Sequence, residues 1–352
     1  MRGENISYCD HTGLWKNELL GWVPEYIFDA HVHLGPPGIM KPISPERAKE
    51  PLATFTDFTW EDSLRIYKQL FSSKKIAGVC AFGFPLREVD IEAANSYIAD
   101  LMADSPHLYG FIISDPFDTG RTIALFNSAM DKGIRFRGVK PYFDFLGKPN
   151  LLTRMYEFVP SDLLEFMNSE KLILMLHTAG MGMCDRENQD FVRAIAEKFP
   201  GIKIILAHMG RYVYPEQFFT FLASGVADIP SVFLDVSSAT VTEVYEKTLS
   251  NERLREKLLF ATDMPYGLIT GTERFSEEKG FSFITRDDYP WSDPALQKQF
   301  SAERERLTYN TYHVIKALKD AMERLGISGQ AEVQLKEDVF FRNAARIFNA
   351  VD

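Results

Sequence analysis

Residues 26–35 read YIFDAHVHLG, a short apolar run that ends in the motif His-X-His. Seven more runs of this kind follow along the chain: IAGVCAFGF from Ile76, LYGFIISDP from Leu108, IRFRGVKPYF from Ile134, LILMLHTAG from Leu172, IKIILAHMG from Ile202, VFLDVSSA from Val232 and LLFATDMPYG from Leu258. Runs that are apolar throughout are typical of parallel strands buried on both faces. The sequence therefore predicts eight parallel strands.

Amphipathic helices are predicted in most of the gaps between these strands. Segments that begin at Trp60, Ile91 and Glu187 repeat apolar residues at helical spacing, and residues 215–225 begin with proline and end with glycine, as helices often do. Alternating strands and helices predict a parallel α/β fold. With 352 residues, the chain fits a (β/α)8 TIM barrel of one domain, 1–352, with barrel strands from about 26 to 265 and C-terminal helices over 296–350.

Two regions are longer than a minimal repeat requires. Residues 35–59 follow the first strand and contain five prolines, and residues 268–294 follow the eighth strand and are rich in Gly, Thr, Asp and aromatic residues. We predict loop insertions there, at the face of the barrel where active-site loops lie. Beyond them, the pattern predicts one long helix over about residues 296–325 and a closing helix, LKEDVFFRNAARIFNAV, over residues 335–351.

Composition and charge limit the classes of function. The net charge of −10 argues against nucleic acid or an anionic membrane as a partner, because both require a basic face. The three cysteines, Cys9, Cys80 and Cys184, fit no disulfide framework or zinc ribbon, which predicts a reducing, cytoplasmic location. Neither a signal peptide nor an apolar run of about 18 residues is evident. We expect a small-molecule substrate, and a homodimer is one option for assembly.

Four of the seven histidines fall at the ends of predicted strands: His31 and His33 at the first, His177 at the fifth and His208 at the sixth. Chance would place about half a histidine among the roughly 24 such positions of eight strands. His31 and His33 lie two residues apart, so their side chains share one face of a strand and can bind one metal ion. A single histidine at a strand end more often makes a structural hydrogen bond, but four together predict a metal site.

Asp263 ends the eighth predicted strand, after the apolar letters LLFAT. It could cap the turn that Met264 and Pro265 begin, or it could complete the metal site as a carboxylate ligand. The first and eighth strands are neighbours only when the sheet closes. A site that joins His31 and His33 to Asp263 therefore favours a barrel over an open, doubly wound sheet.

Six segments resemble the amidohydrolase superfamily, and specifically the amidohydrolase-related branch of its TIM-barrel metal-dependent hydrolases. They are FDAHVHLG, GVKPY, LHTAG, FPGIKIILAHMGR, LFATDMP and FFRNAARIFN, which span the chain from Phe28 to Asn349. The resemblance implies one divalent ion, zinc or else manganese, held by His31, His33, His177 and Asp263. It implies that His208 is a catalytic histidine close to these ligands, or itself a ligand if a second metal binds, with one ion favoured over two.

Lys140, in the segment GVKPYF, lies where relatives with two metals carry a carbamylated lysine or a glutamate. An ammonium inside a barrel needs an anionic partner. Lys140 could therefore bridge two metals as a carbamate, anchor a substrate carboxylate, or form an ion pair in the core. Arg211, Arg87 and Tyr142 are also predicted to bind substrate, because they follow the sixth, second and fourth strands. Arginines at such positions also commonly form surface ion pairs, and tyrosines there are often simply packed.

The predicted chemistry is hydrolysis, by a metal-activated water, of a small amide, ester or lactone, including carboxylated ones. Asp263 would take a proton from the water and pass it to the leaving group, and His208 would orient the water or stabilise the oxyanion. Asp235 and Ser237, on the seventh strand, are candidates for holding the ligands in place.

Two other functions compete with hydrolysis. The branch also contains metal-dependent nonoxidative decarboxylases of unsaturated or aromatic carboxylic acids, which would use the same metal ligands. A pocket with two or more cationic anchors and aromatic walls would favour that alternative. A barrel that binds a ligand without turnover is the third option, and the intact set of predicted ligands argues against it.

Overall fold

Eight parallel strands, paired in chain order, form the central sheet of the computed structural model, which describes residues 1–276 and 280–349. The strands are β1 (Tyr26–His33), β2 (Lys75–Phe82), β3 (Leu108–Ile113), β4 (Gly138–Lys140), β5 (Ile173–Leu176), β6 (Lys203–Leu206), β7 (Val232–Asp235) and β8 (Leu258–Leu259). Each coincides with one of the eight apolar runs to within a few residues, because residues buried on both faces of a parallel sheet must be apolar.

Backbone hydrogen bonds join the first strand to the segment that follows the last. Ala30 N donates to Phe260 O at 2.9 Å, Asp263 N donates to His31 O at 2.9 Å, and His33 N donates to Met264 O at 2.7 Å. These bonds bring β1 beside the continuation of β8, so the sheet curves into a barrel. The predicted (β/α)8 barrel is confirmed, and the open, doubly wound alternative is excluded.

Helices follow the strands along the chain: α1 (Trp60–Leu70), α2 (Ile91–Asp104), α3 (Thr119–Asp131), α4 (Ser161–Glu170), α5 (Arg186–Lys198), α6 (Pro215–Ala223), α7 (Thr242–Leu249) and α8 (Glu252–Arg255). Helix α1 begins at a capping box, in which Thr59 Oγ1 accepts from Asp62 N and the Asp62 carboxylate accepts from Thr59 N, both at 3.1 Å. In the described part of the chain, no helix is long and apolar enough to cross a membrane.

Asp29 ties β1 to the segment after β8 and to α1. Its carboxylate accepts hydrogen bonds from Thr262 N at 2.9 Å, Tyr67 Oη at 2.7 Å and His31 N at 3.2 Å. Burial raises the pKa of Asp29 to about 6, although the bonds from Thr262 and Tyr67 act in the opposite direction. The backbone that carries His31 and His33 is therefore fixed by a buried carboxylate.

The insertions after β1 and β8 contact each other. Residues 268–294, where a loop insertion was predicted, contain an antiparallel hairpin, β9 (Gly271–Ser276) and β10 (Gly280–Thr285). Trp291 Nε1 donates to Thr54 Oγ1 at 2.8 Å, and Tyr266 Oη donates to Leu52 O at 2.8 Å. Both insertions leave the carboxyl ends of their strands, so together they cover the face of the barrel where the predicted site residues lie.

The predicted long helix over residues 296–325 is wrong. The structure has instead α9 (Pro294–Gln299), α10 (Ser301–Arg304) and α11 (Asn310–Arg324), followed by α12 (Gly329–Glu337) and α13 (Asn343–Phe348). The break has a physical cause, because the backbone before α11 finds partners outside a helix. Asn310 N donates to Ile269 O at 2.9 Å, and Thr308 N donates to His313 Nε2 at 3.2 Å. Of the predicted closing helix, residues 350 and 351 lie outside the described residues.

Candidate metal centre

Three side-chain atoms converge at the carboxyl end of β1. His31 Nε2 lies 3.2 Å from His33 Nε2, and Asp263 Oδ1 lies 3.2 Å from both nitrogens. All three residues are buried. Ligands held tetrahedrally about 2.0–2.1 Å from one ion are roughly 3.3 Å from each other. The triangle therefore has the size that a single divalent ion requires.

Hydrogen bonds on the far side of each imidazole fix its tautomer. His31 Nδ1 lies 2.6 Å from Asp235 Oδ2, and His33 Nδ1 lies 3.0 Å from Gly83 O. A carboxylate and a carbonyl oxygen only accept, so each Nδ1 carries the proton and each Nε2 offers a lone pair. Burial, and then the positive charge of Lys140, lower the pKa of His33 to about 3 and that of His31 well below its usual value.

Two neutral imidazoles and a carboxylate oxygen thus present lone pairs to one another at contact distance. Such an arrangement is repulsive unless a proton or a metal ion lies between the atoms, and one metal ion can satisfy all three at once. The donor set, two nitrogens and one oxygen, is one that zinc and manganese accept. The residues of this centre therefore fit a divalent metal ion.

Asp235 supports the centre from β7. It is fully buried, and besides His31 its carboxylate accepts from Ser237 N at 2.8 Å. Replacing Asp235 by asparagine keeps an acceptor for His31 but removes the negative charge that makes the imidazole a stronger ligand. We expect metal affinity to fall roughly 10- to 100-fold, measured by competition with a chromogenic chelator. Asp104→Asn, at an exposed carboxyl at the end of α2, is the control; equal affinities in both variants would contradict the role of Asp235.

His208 lies two residues beyond the end of β6, in a turn with left-handed backbone. The φ angles are 54° at His208, 54° at Met209 and 55° at Arg211, a conformation that side-chain-bearing residues rarely adopt. His208 Nδ1 lies 2.9 Å from Ser237 Oγ, and its ring centre is 5.3 Å from that of His31. Strained backbone of this kind is concentrated at functional sites, and here it turns His208 towards the centre.

His177 follows β5 directly and packs against Tyr142, with ring centres 4.9 Å apart, and against His208, with ring centres 5.3 Å apart. Within the described residues, the ligand atoms of His31, His33 and Asp263 all lie within 4.8 Å of one another, and His177 does not belong to this group. Its Nδ1 is buried and has no hydrogen-bond partner among the described residues. A buried polar atom without a partner is costly, so His177 is available to a ligand in the same cavity.

A cavity of about 360 Å³ contains all of these predicted metal ligands. Its wall carries five aromatic side chains, Tyr142, Tyr212, Tyr266, Phe283 and Trp291. Two cationic side chains, Lys140 and Arg211, also line it. A cavity of this size, with apolar walls and few polar groups, is typical of sites for small molecules.

Lys140 brings an ammonium into this cavity without an anionic partner in contact. The residue is 1% exposed, and in the described structure its Nζ has neither a hydrogen-bond partner nor a carboxylate within 4.0 Å. The ammonium instead lies 5.1 Å from the ring centre of Phe82 and 5.8 Å from that of Tyr142. Burial lowers the pKa of Lys140 and, for the same reason, raises that of Asp263. The interpretation of Lys140 as an ion-paired core residue is therefore not supported.

The other predicted substrate-binding residues separate into two groups. Tyr142 and Arg211 line the cavity, and Arg211 Nη1 donates to the carbonyl of Thr178 at 2.9 Å, a neutral partner. Arg87 is outside the cavity: its side chain is 45% exposed, and its Nε lies 3.4 Å from Glu88 Oε1. The cause is a contact with a distant segment, because Asp144, 57 residues away, holds the backbone of Arg87 at 2.9 Å and the guanidinium turns to solvent.

The cavity is also lined by Glu273, Phe283, Trp291 and Asn310, which were not among the predicted site residues. They come from the hairpin, the segment after it and the start of α11. Aromatic and β-branched residues over 280–285, GFSFIT, were the available signal for a strand.

Comparisons with known proteins bear on the family and the fold. The sequence model of a family described as amidohydrolase matches residues 28–350. No curated protein sequence matches the chain. Among solved structures, 2,6-dihydroxybenzoate decarboxylase from Rhizobium has a TM-score of 0.54 at 13% identity, covering 93% of this chain and 99% of that one.

Two further structures are similar to the same extent. The values for 5-carboxyvanillate decarboxylase from Sphingomonas paucimobilis are a TM-score of 0.54 and 14% identity, over 93% of this chain and 100% of that one. A dihydroxybenzoic acid decarboxylase from Polaromonas, with bound manganese and the inhibitor 2-nitroresorcinol, has a TM-score of 0.52 and 14% identity, over 93% and 97%. At these identities the likeness establishes a common fold.

Proposed function

The chain belongs to the amidohydrolase family, and from this premise we propose that it is a metal-dependent, nonoxidative decarboxylase of an aromatic or unsaturated carboxylic acid. The observation that carries the proposal is the pair of cations in the aromatic-walled cavity. In the described chain, neither Lys140 nor Arg211 has a carboxylate within 4.0 Å. Buried cations beside a metal centre favour an anionic ligand.

The metal would be held by His31, His33 and Asp263, with His177 as the next candidate ligand. When bound, a divalent ion supplies Lewis-acid chemistry, the withdrawal of electron density from substrate oxygens. Zinc and manganese both suit the donor set. The manganese in the Polaromonas decarboxylase makes that ion the first to test.

The residues around the centre have separate tasks in this reaction. Lys140 and Arg211 bind the carboxylate through charge-assisted hydrogen bonds, and the aromatic walls hold the ring and exclude water. Loss of CO2 leaves an electron pair on the carbon that carried it, and that carbon must gain one proton. The oxygen of Asp263 that does not face the imidazoles is the candidate to deliver this proton, with His208 as the alternative.

Hydrolysis of a small amide, ester or lactone is the second candidate. It is favoured by the position of Asp263, whose Oδ1 lies 3.2 Å from both imidazole nitrogens, because a carboxylate beside a metal can accept a proton from water. The two reactions differ in their products. Decarboxylation releases CO2 and consumes a proton, whereas hydrolysis releases no gas and forms an acid.

The deciding experiment is a product assay on metal-loaded protein. We expect CO2 release, with formation of the decarboxylated product, from at least one aromatic or unsaturated acid, and no turnover of esters, amides or lactones. Arg211→Met should raise KM about tenfold or more, because a charged hydrogen bond to the carboxylate is lost. Arg87→Met is the matched control and should leave KM unchanged. Ester, amide or lactone cleavage without CO2 release would overturn decarboxylation in favour of hydrolysis.

A further inference from the structure

The hairpin after β8 places a carboxyl group in the cavity. Glu273 on β9 pairs directly with Phe283 on β10, so both side chains lie on one face of the hairpin, and both line the cavity. The neighbours of Glu273 face elsewhere: Thr272 Oγ1 donates to Thr240 Oγ1 at 2.9 Å, and Arg274 forms an ion pair with Glu303. This alternation, usual for a strand, fixes the direction of Glu273.

Asn310 presents a second acceptor next to the same strand. It is 3% exposed, and its Nδ2 donates to Gly271 O at 3.3 Å. A carbonyl oxygen only accepts, so this bond assigns the amide orientation and leaves Oδ1 free. Oδ1 is buried and has no partner among the described residues, and Asn310 lines the cavity with Glu273.

No donor of the described chain satisfies these two acceptors. The carboxyl of Glu273 makes no hydrogen bond or ion pair within the described residues, although it interacts electrostatically with Arg211 across the cavity. Burial raises the pKa of Glu273 to about 8, and Arg211 opposes that shift. Glu273 is partly exposed within the cavity, whereas Asn310 Oδ1 is buried. A buried acceptor without a donor is rare in folded proteins, and a ligand commonly supplies what is missing.

Counting donors selects the ligand group. With Glu273 ionised, a hydroxyl has one hydrogen to donate and would leave one acceptor unpaired, whereas an ammonium group has three hydrogens, and its positive charge favours the ionised carboxyl against the effect of burial. We propose that Glu273 and Asn310 form a subsite for an amino group on the substrate, while Lys140 and Arg211 take its carboxylate. The substrate class is then an amino-substituted aromatic or unsaturated carboxylic acid. The inference rests on the proposed function for the position of the carboxylate only.

Binding of simple probes to the metal-loaded protein tests this. We would measure, by calorimetry, the Kd of benzoate, its three monoamino isomers and its three monohydroxy isomers. At least one amino isomer should bind about tenfold or more tightly than benzoate, and also more tightly than the isomer with a hydroxyl at the same ring position. Glu273→Leu should remove this preference while the Kd of benzoate stays within about twofold. Glu303→Leu, which removes the α10 carboxyl that pairs with Arg274 of the hairpin, should keep this preference.

The outcomes separate this inference from the proposed function. If benzoate binds and Arg211→Met weakens it, but no amino isomer binds more tightly, the amine subsite is wrong and the carboxylate site stands. A preference for hydroxy isomers that Glu273→Leu removes would overturn the amine assignment in favour of a hydroxyl. If no benzoate binds to the wild-type protein, both the proposed function and this inference are contradicted.

Discussion

Replacing His31 and His33 together with alanine is expected to remove the divalent ion and lower activity roughly a thousandfold or more. The two Nε2 atoms lie 3.2 Å apart and form two corners of the three-atom site, so of these three atoms the variant keeps only Asp263 Oδ1. A single carboxylate binds a divalent ion weakly. Elemental analysis of protein purified without chelator should give about one equivalent in the wild type and little in the variant.

The control for this experiment is His107→Ala, an exposed histidine far from the cavity residues in sequence, which should keep its metal. Thermal unfolding of metal-free samples shows whether the double variant still folds. Two equivalents in the wild type would contradict a single-ion centre and would favour a lysine carbamate between two ions. No metal after reconstitution with zinc or manganese would refute the centre altogether.

The sequence was sufficient for the barrel and for the convergence of His31, His33 and Asp263. Strands buried on both faces need continuous apolar runs, and such runs can be recognised in a single sequence. The spacing of His31 and His33 predicted that their side chains lie together, because residues two apart on a strand share a face. Asp263 follows the last strand, so a site that joins it to His31 and His33 requires a closed sheet. The hydrogen bond from Asp263 N to His31 O links the two ends of the sheet.

What failed was decided by contacts between distant segments. The direction of Arg87 depends on the bond between its backbone and Asp144, 57 residues away. The break in the predicted long helix depends on Asn310 N, which bonds to Ile269 O at the start of α11. The hairpin that carries Glu273 is fastened through residues such as Thr240. Local sequence propensities do not identify such distant partners. The residues that line the cavity after β8 could therefore not be predicted from the sequence.

Lys140→Met is expected to lower kcat/KM about 100- to 1000-fold and at the same time to raise the free energy of unfolding by roughly 1–3 kcal/mol. The ammonium is buried and has no partner among the described residues, and burial lowers its pKa, so the folded protein bears a cost for this charge. Methionine has a similar length and no charge. Urea unfolding of metal-free protein, and kinetics on the acid identified in the product assay, measure the two effects.

A loss of activity together with a gain in stability in Lys140→Met distinguishes a substrate anchor from the other interpretations of Lys140. A core residue with no ligand would change stability without changing kcat/KM, whereas the exposed control Lys132→Met should change neither. A carbamate bridge would give a different result: metal content would fall from two equivalents to one, and wild-type activity would rise with added bicarbonate. An anchor leaves one equivalent in both proteins and raises KM for the carboxylate substrate. If the Lys140 ammonium lowers the stability of the fold, its binding of a substrate carboxylate explains why it is present. A loss of activity without any gain in stability would therefore contradict the interpretation of Lys140 as an anchor.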